Sequence, residues 1–263
     1  MNEPEVPLTG GNVSAGVVRV GETVRRPAGP WTPAVHALLR HLHASGFRAA
    51  PLPLGIDERG REILTHAPGT TLWPDRMDVL APPDRLARVA RLIRAFHDAA
   101  ETFTPPPDAA WQRLLPVLDD GPTLVGHHDI APWNLVADGP SGAWTLIDWD
   151  GAGPTTRLWD LAYACAGFVR LTGAAPFARP DEETAARLRT FADAYGLDGP
   201  RRRALVPLLG RRVRGMYDFL LERAALGERP WADHWRDGHG DAWRGDAEYI
   251  EAREDLWTRA LLA

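Results

Sequence analysis

The first quarter of the chain alternates between apolar and polar residues, and the rest repeats apolar residues at helical spacing. Gly16 to Val20 and Thr23 to Arg26 flank Gly21-Glu22, which predicts a hairpin with a two-residue turn. Val35, Leu38, Leu39 and Leu42 share one helical face, so Pro33 to Ala44 reads as a helix closed by Gly46. Two further short strands flank Asp57-Glu58-Arg59-Gly60, the second ending at Ile63-Leu64-Thr65. Ala67-Pro68-Gly69 reads as a hinge.

Beyond Gly69 the helical period takes over. Asp84 is placed to cap a helix reaching about Ala100, with Leu86, Val89, Ala90, Ile93 and Phe96 on one face. Later helices are predicted at roughly 158–171, 182–195, 202–226 and 245–261, with Asp181 opening the second of these. A strand-like island interrupts them: Asn134 to Ala137, a turn at Gly139-Pro140-Ser141-Gly142, then Trp144 to Asp148. The expectation is an α+β protein, with a strand-rich N-terminal part over residues 1–69 and a larger helical part over 70–263. A cleft between two such parts is a common ligand site.

Composition narrows the chemistry. The 263 residues include 30 basic ones, and every one is arginine. A Walker-type phosphate loop and Schiff-base chemistry both need a lysine, so both are excluded. A net charge of -5 argues against a nucleic-acid partner, which requires a positive footprint. One cysteine, Cys165, and an N-terminus with no signal-peptide core lead us to expect a cytoplasmic protein without disulfides. The apolar stretch from Leu158 to Phe177 carries Asp160 and Arg170 and does not read as a membrane span.

The segment Gly126-His127-His128-Asp129-Ile130-Ala131-Pro132-Trp133-Asn134, followed by Ile147-Asp148-Trp149-Asp150, carries the most chemistry. Phosphoryl transfer needs a carboxylate at the attacking hydroxyl, oxygen ligands for Mg²⁺ and positive charge on the phosphates. Asp129 is the candidate base. Asn134 and Asp148 offer hard oxygen ligands, and the hairpin between them brings the two near each other. Any one of these could be an ordinary turn residue; the pattern His-x-Asp-x-x-x-x-Asn with a strand-borne Ile-Asp is far more specific.

These residues, with Leu158-Trp159-Asp160-Leu161-Ala162, resemble the aminoglycoside phosphotransferase family, relatives of choline kinases and protein kinases. The likeness is strongest over Val125 to Ala164. It implies a two-lobe kinase-like fold, ATP or GTP as co-substrate, Mg²⁺, and a small-molecule hydroxyl acceptor such as an aminoglycoside or another antibiotic. Asp129 then matches the catalytic base and Asn134 and Asp148 the metal ligands. His127 matches a structural loop histidine, and Asp160 the residue that holds the loop, although a helix-start Asp also serves as a cap. Asp150 reads equally as an aid to the metal or as a solvated turn residue, and His128 as packing. Gly10 to Ser14 resembles the phosphate-covering loop, with the Ser14 hydroxyl facing phosphate. Thr65 and Ala67 match the hinge that pairs with the base.

The nucleotide lobe departs from the family pattern. The strand that should carry the phosphate-binding lysine reads Thr23-Val24-Arg25-Arg26-Pro27, and Arg25 is the expected replacement, with Arg26 second. The following helix should carry a partner Glu, yet Trp31 to Ser45 contains no acid; His36 stands near that place. On the acceptor side, Glu228 to Asp255 holds nine acids, four arginines and Trp231, Trp235 and Trp243, which would suit a cationic substrate or form a solvated face. Two alternatives stand beside the kinase reading: a nucleotide-binding protein without catalysis, and a metallohydrolase built on His127, His128 and Asp129.

Overall fold

The computed structural model describes residues 4–8, 16–117, 121–137 and 142–263. The Gly10 to Ser14 loop and most of the Gly139 to Gly142 turn lie outside them.

Five strands form the N-terminal sheet: β1 (Val6–Pro7), β2 (Val18–Val20), β3 (Thr23–Pro27), β4 (Pro53–Ile56) and β5 (Arg61–Thr65), in the order β1-β2-β3-β5-β4. Gly21, at φ 57°, makes the two-residue turn between β2 and β3, where Val20 pairs with Thr23. Helix α1 (Thr32–Ala44) packs its Leu38, Leu39 and Leu42 face into the core. It ends as predicted, with Gly46 at φ 89° and the Phe47 amide donating back to the Leu42 carbonyl at 2.9 Å.

The C-terminal part is built on α2 (Pro83–Ala100), α3 (Arg157–Ala164), α4 (Asp181–Tyr195) and α5 (Gly199–Ala225), with α6 (Trp231–Arg236), α7 (His239–Glu251) and α8 (Glu254–Leu262) closing one side. Asp84 is not the cap of α2: Pro82 occupies that position, and Asp84 sits in the first turn, where its charge still suits the helix dipole. The predicted helix over 158–171 ends as α3 and continues as a wider π-helical turn, Cys165–Arg170. The predicted helix at 245–261 is two helices, parted at Ala252-Arg253, where the Arg253 amide turns back to the Ile250 carbonyl. Helix α5 starts earlier than predicted because Asp198 caps it, accepting the Arg201 amide at 2.9 Å.

Of three further short strand pairings among the described residues, two escape the sequence pattern and one joins the arms of the predicted island. β6 (Thr70–Thr71) joins β8 (Leu135–Ala137), which pairs with β9 (Thr145–Leu146); β7 (Leu124–Gly126) pairs with β10 (Gly153–Thr155). These two small sheets carry the loops that matter. Among the described residues, no helix is long and apolar enough to cross a membrane.

Candidate active site

The segment from Gly126 to Asn134 runs between two ladders and is anchored from below. Strand β7 delivers Gly126 against β10, where a Cβ would come 2.4 Å from Thr155 Cγ2 and 2.7 Å from Asp160 Oδ2. Only glycine fits there. Asp160, fully buried, accepts the His127 amide at 2.9 Å, the His128 amide at 2.8 Å and His97 Nε2–H at 3.2 Å. Behind it, His97 Nδ1 accepts the Tyr195 hydroxyl at 2.7 Å. Thr156, not Asp160, caps α3. Asp160 therefore serves the loop, and these bonds hold its carboxyl well below the usual carboxylate range despite burial.

The loop itself is bent. His128 lies at φ 65°, a conformation that costs about 1–3 kcal/mol for a residue other than glycine. Its amide is held by Asp160 and its carbonyl accepts Arg212 Nη2 at 2.9 Å. Arg212, on α5, is fully buried against the faces of Tyr163 and Trp159, and nothing in the sequence pattern marks it. Burial also pushes the His128 imidazole below its usual range, so it packs as a neutral ring. His127 donates from Nε2 to the Ile147 carbonyl at 3.0 Å and accepts the Asp129 amide at Nδ1. A ring engaged at both nitrogens ties the loop to the far arm of the hairpin and leaves neither nitrogen for a metal. We expect Gly126→Ala to cost about 1–3 kcal/mol through overpacking and to lower any activity, read by denaturant unfolding beside turnover.

Asp129 stands half-buried above this base. Its Oδ2 accepts Asn134 Nδ2 at 2.7 Å and Trp133 Nε1 at 3.3 Å, and the Tyr163 side chain of α3 lies beside it. Burial pushes its carboxyl up, against the pull of His127 and with a further push from Asp148. With Asn134 Nδ2 turned to Asp129, its Oδ1 remains for other work. The Ile147 amide donates to the Asn134 carbonyl at 2.9 Å, and Leu135 pairs with Leu146, so Asn134 and Asp148 leave the same ladder on facing arms. Asp148, at φ 63°, is a second non-glycine residue in the left-handed region. Backbone strain of this kind clusters at functional sites.

Across the cleft the structure brings Arg26, and not Arg25, to Asp148. Arg25 lies on the opposite face of β3, bonded to the Thr23 hydroxyl, with Asp57 at 3.9 Å. Arg26 points inward. Its Nη1 donates to Asp148 Oδ1 at 3.0 Å and its Nη2 to Asp150, while its Nε lies 3.1 Å from Glu62 Oε1 as an ion pair. Strand alternation is the reason: Val24 and Arg26 share the buried face, opposite Leu64 and Glu62 of β5. His36, which has no carboxylate to offer, instead bonds Glu62 Oε2 at 2.8 Å. Glu62 was not singled out by the sequence, although its phase with the buried Leu64 marks it as inward-facing. Asp150 is buried and no solvated turn residue; burial pushes its carboxyl up to about 6 against the pull of Arg26, with Asp148 and Glu62 adding to the rise.

Thr65 ends β5 in register with Thr23, its amide donating to Leu52, and the next residue, His66, donates to the Glu22 carbonyl. Ala67 follows in the connection to β6. On the acceptor side, Trp133 meets Trp73 and Tyr163 edge-on, and Tyr163 stacks on Trp243 with ring centroids 6.0 Å apart. Trp231 and Trp235 do not join them; they pack on Phe219 and Tyr217 of α5. Several acids of that segment are likewise occupied, Asp233 by Arg236, Asp241 by Arg244 and Glu251 by Arg214.

This arrangement has relatives. Residues 106–206 match the model of the phosphotransferase enzyme family. The trifolitoxin immunity protein of Rhizobium leguminosarum bv. trifolii is 36% identical over 259 residues, covering 90% of this chain and 93% of that protein. A choline/ethanolamine kinase family protein from Mesorhizobium loti superposes with a TM-score of 0.64 at 15% identity, over 98% of this chain and 92% of that one. Wild-type aminoglycoside 2'-phosphotransferase-IIIa, in its GDP complex, superposes at 0.58 and 15% identity, over 97% and 93%. The fold is thus α+β with the two lobes of a protein kinase, and the chain belongs to the phosphotransferase enzyme family.

Proposed function

We propose that the protein moves the γ-phosphate of ATP or GTP to a hydroxyl of a small molecule, with residues 1–69 as the nucleotide lobe and 70–263 as the catalytic and acceptor lobe. The observation that carries the reading is the convergence of Asp129, Asn134 and Asp148 on one face of the cleft with Arg26 on the other. The donor set fits Mg²⁺. It consists of hard oxygens, an amide and a carboxylate, and such a site completes its coordination with water and phosphate oxygens. Three carboxylates, those of Asp148, Asp150 and Glu62, surround one guanidinium, and Asp129 faces Asp148 beside them. Burial raises the Asp129 and Asp150 carboxyls and the neighbouring carboxylates add to the rise, a crowding of negative charge that a divalent cation would relieve.

When bound, Mg²⁺ would supply charge neutralisation at the transferring phosphoryl group. Asp129 orients the acceptor hydroxyl and takes its proton as the oxygen bonds to phosphorus and the bond to the leaving diphosphate breaks. Its raised carboxyl makes it a stronger base than an ordinary Asp. Asn134 keeps Asp129 aimed through Nδ2. Arg26 meets the phosphates. Thr65 and Ala67 offer backbone groups to the base, and Ser14 a hydroxyl to the phosphates. The aromatic wall of Trp133, Tyr163 and Trp243 suits the apolar or cationic side of an acceptor.

The name of the trifolitoxin immunity protein extends to this chain a protective role, in which the acceptor is a toxin or antibiotic met in the cytoplasm. A panel of aminoglycosides, amino alcohols and peptide antibiotics, incubated with ATP or GTP and Mg²⁺ and read by mass, tests the reaction. We expect a phosphorylated product with at least one acceptor, and loss of turnover on chelation with the fold intact. Nucleotide binding without turnover of any acceptor would leave the non-catalytic reading in place.

A further inference from the structure

A phosphate-binding cation is useful only when something holds it in line, because a buried guanidinium goes to the nearest carboxylate. In this chain the nearest are the wrong ones: Nη1 and Nη2 of Arg26 both reach the acids proposed for the metal, Asp148 and Asp150. The counter-pull is the charge of Glu62, which lies against the Nε edge of Arg26 as a buried ion pair. Glu62 faces Arg26 across the β3–β5 ladder as its direct register partner, and each Glu62 oxygen has one partner, Oε1 with Arg26 Nε at 3.1 Å and Oε2 with His36 Nε2 at 2.8 Å. The three side chains are 7%, 2% and 4% exposed, so water competes little for these bonds.

We propose that Glu62, anchored by His36, is the positioning carboxylate of the phosphate clamp, taking the place of the acid that α1 lacks. The inference rests on the nucleotide-binding reading above. Held at Nε by Glu62, the planar fork of Arg26 presents both Nη groups to the cleft in one orientation. The acid sits on a strand hydrogen-bonded to β3, so the clamp is set by the sheet register and not by the placement of a helix. α1 contributes only the imidazole that keeps Glu62 from rotating away. Without the charge on Glu62, the guanidinium is drawn fully to Asp148 and Asp150, where it competes with the metal.

Direct titration of the full-length protein with MgATP and MgGTP tests this, beside thermal unfolding and the Mg²⁺ dependence of binding. Glu62→Gln is expected to weaken the preferred nucleotide about tenfold, the loss of one buried ion pair. It should also raise the half-saturating Mg²⁺ and leave the acceptor KM unchanged. His36→Phe should give a smaller shift of the same kind and add nothing in the Glu62→Gln background, because it acts through Glu62. Should Glu62→Gln not fold, Glu62→Asp carries the test, keeping the charge but shortening the arm. Unchanged nucleotide and Mg²⁺ affinity in the Glu62 variant overturns the inference while the phosphotransferase reading stands. Additive losses in the double variant overturn the anchoring role of His36. Failure of the wild-type protein to bind either nucleotide overturns both readings at once.

Discussion

Asp129→Asn is expected to cut phosphoryl transfer by about 10²–10⁴-fold while leaving nucleotide affinity within a small factor of wild type. The amide fills the same volume, and its oxygen can still accept Asn134 Nδ2 and Trp133 Nε1, which now bond Asp129 Oδ2 at 2.7 and 3.3 Å. It cannot take a proton from an acceptor hydroxyl. Nucleotide binding should hold or tighten, since the variant removes one negative charge from a cleft crowded with carboxylates. Steady-state turnover beside equilibrium nucleotide titration separates the two effects. Wild-type-like turnover would return Asp129 to a structural role and sink the assignment of the base. A loss of nucleotide affinity matching the loss of rate would show instead that the loop had moved.

The C-terminal side of this site was legible because its signal is local. His127, Asp129 and Asn134 fall within eight consecutive positions, and Asp148 follows on the paired arm, so spacing alone brings them together. The nucleotide side is held by pairs distant in sequence. Choosing between Arg25 and Arg26 required knowing which face of β3 is buried. The answer lay in Val24, which shares the phase of Arg26, and in Leu64, its partner across the ladder. Glu62 was missed for a related reason: an acid was sought on α1, where a local pattern would put it, whereas strand pairing supplied it from β5. Arg212 gave no signal, because an arginine on a long amphipathic helix ordinarily faces water. The small ladders β6–β8 and β7–β10 were invisible to periodicity, since strands of two or three residues are too short to show any period.

The same reasoning sets the second large effect at Asp160. Its carboxylate accepts two backbone amides of the bent loop and the His97 ring, and no water reaches it. Asp160→Ala leaves the His127 and His128 amides and His97 buried without a partner. A loss of about 3–5 kcal/mol follows for breaking a buried charged network. For a domain of this length that corresponds to a fall in Tm of roughly 10 °C. His128 then loses the bond on its amide side and keeps only Arg212 to hold it at φ 65°, so turnover should fall with stability. The pH dependence gives the sharper test. The folded state holds the Asp160 carboxyl well below its unfolded value, so between the two the unfolded chain binds more protons and stability rises with pH. The contribution is therefore complete above the ordinary carboxylate range and is lost as pH falls toward the folded value. Asp160→Asn lacks that titration. The stability gap between wild type and Asp160→Asn, measured by denaturant unfolding, should be widest near neutral pH and shrink steadily on acidification below about pH 4. A gap that stays constant down to pH 3 would mean that hydrogen-bond geometry, and not the charge of Asp160, holds the loop.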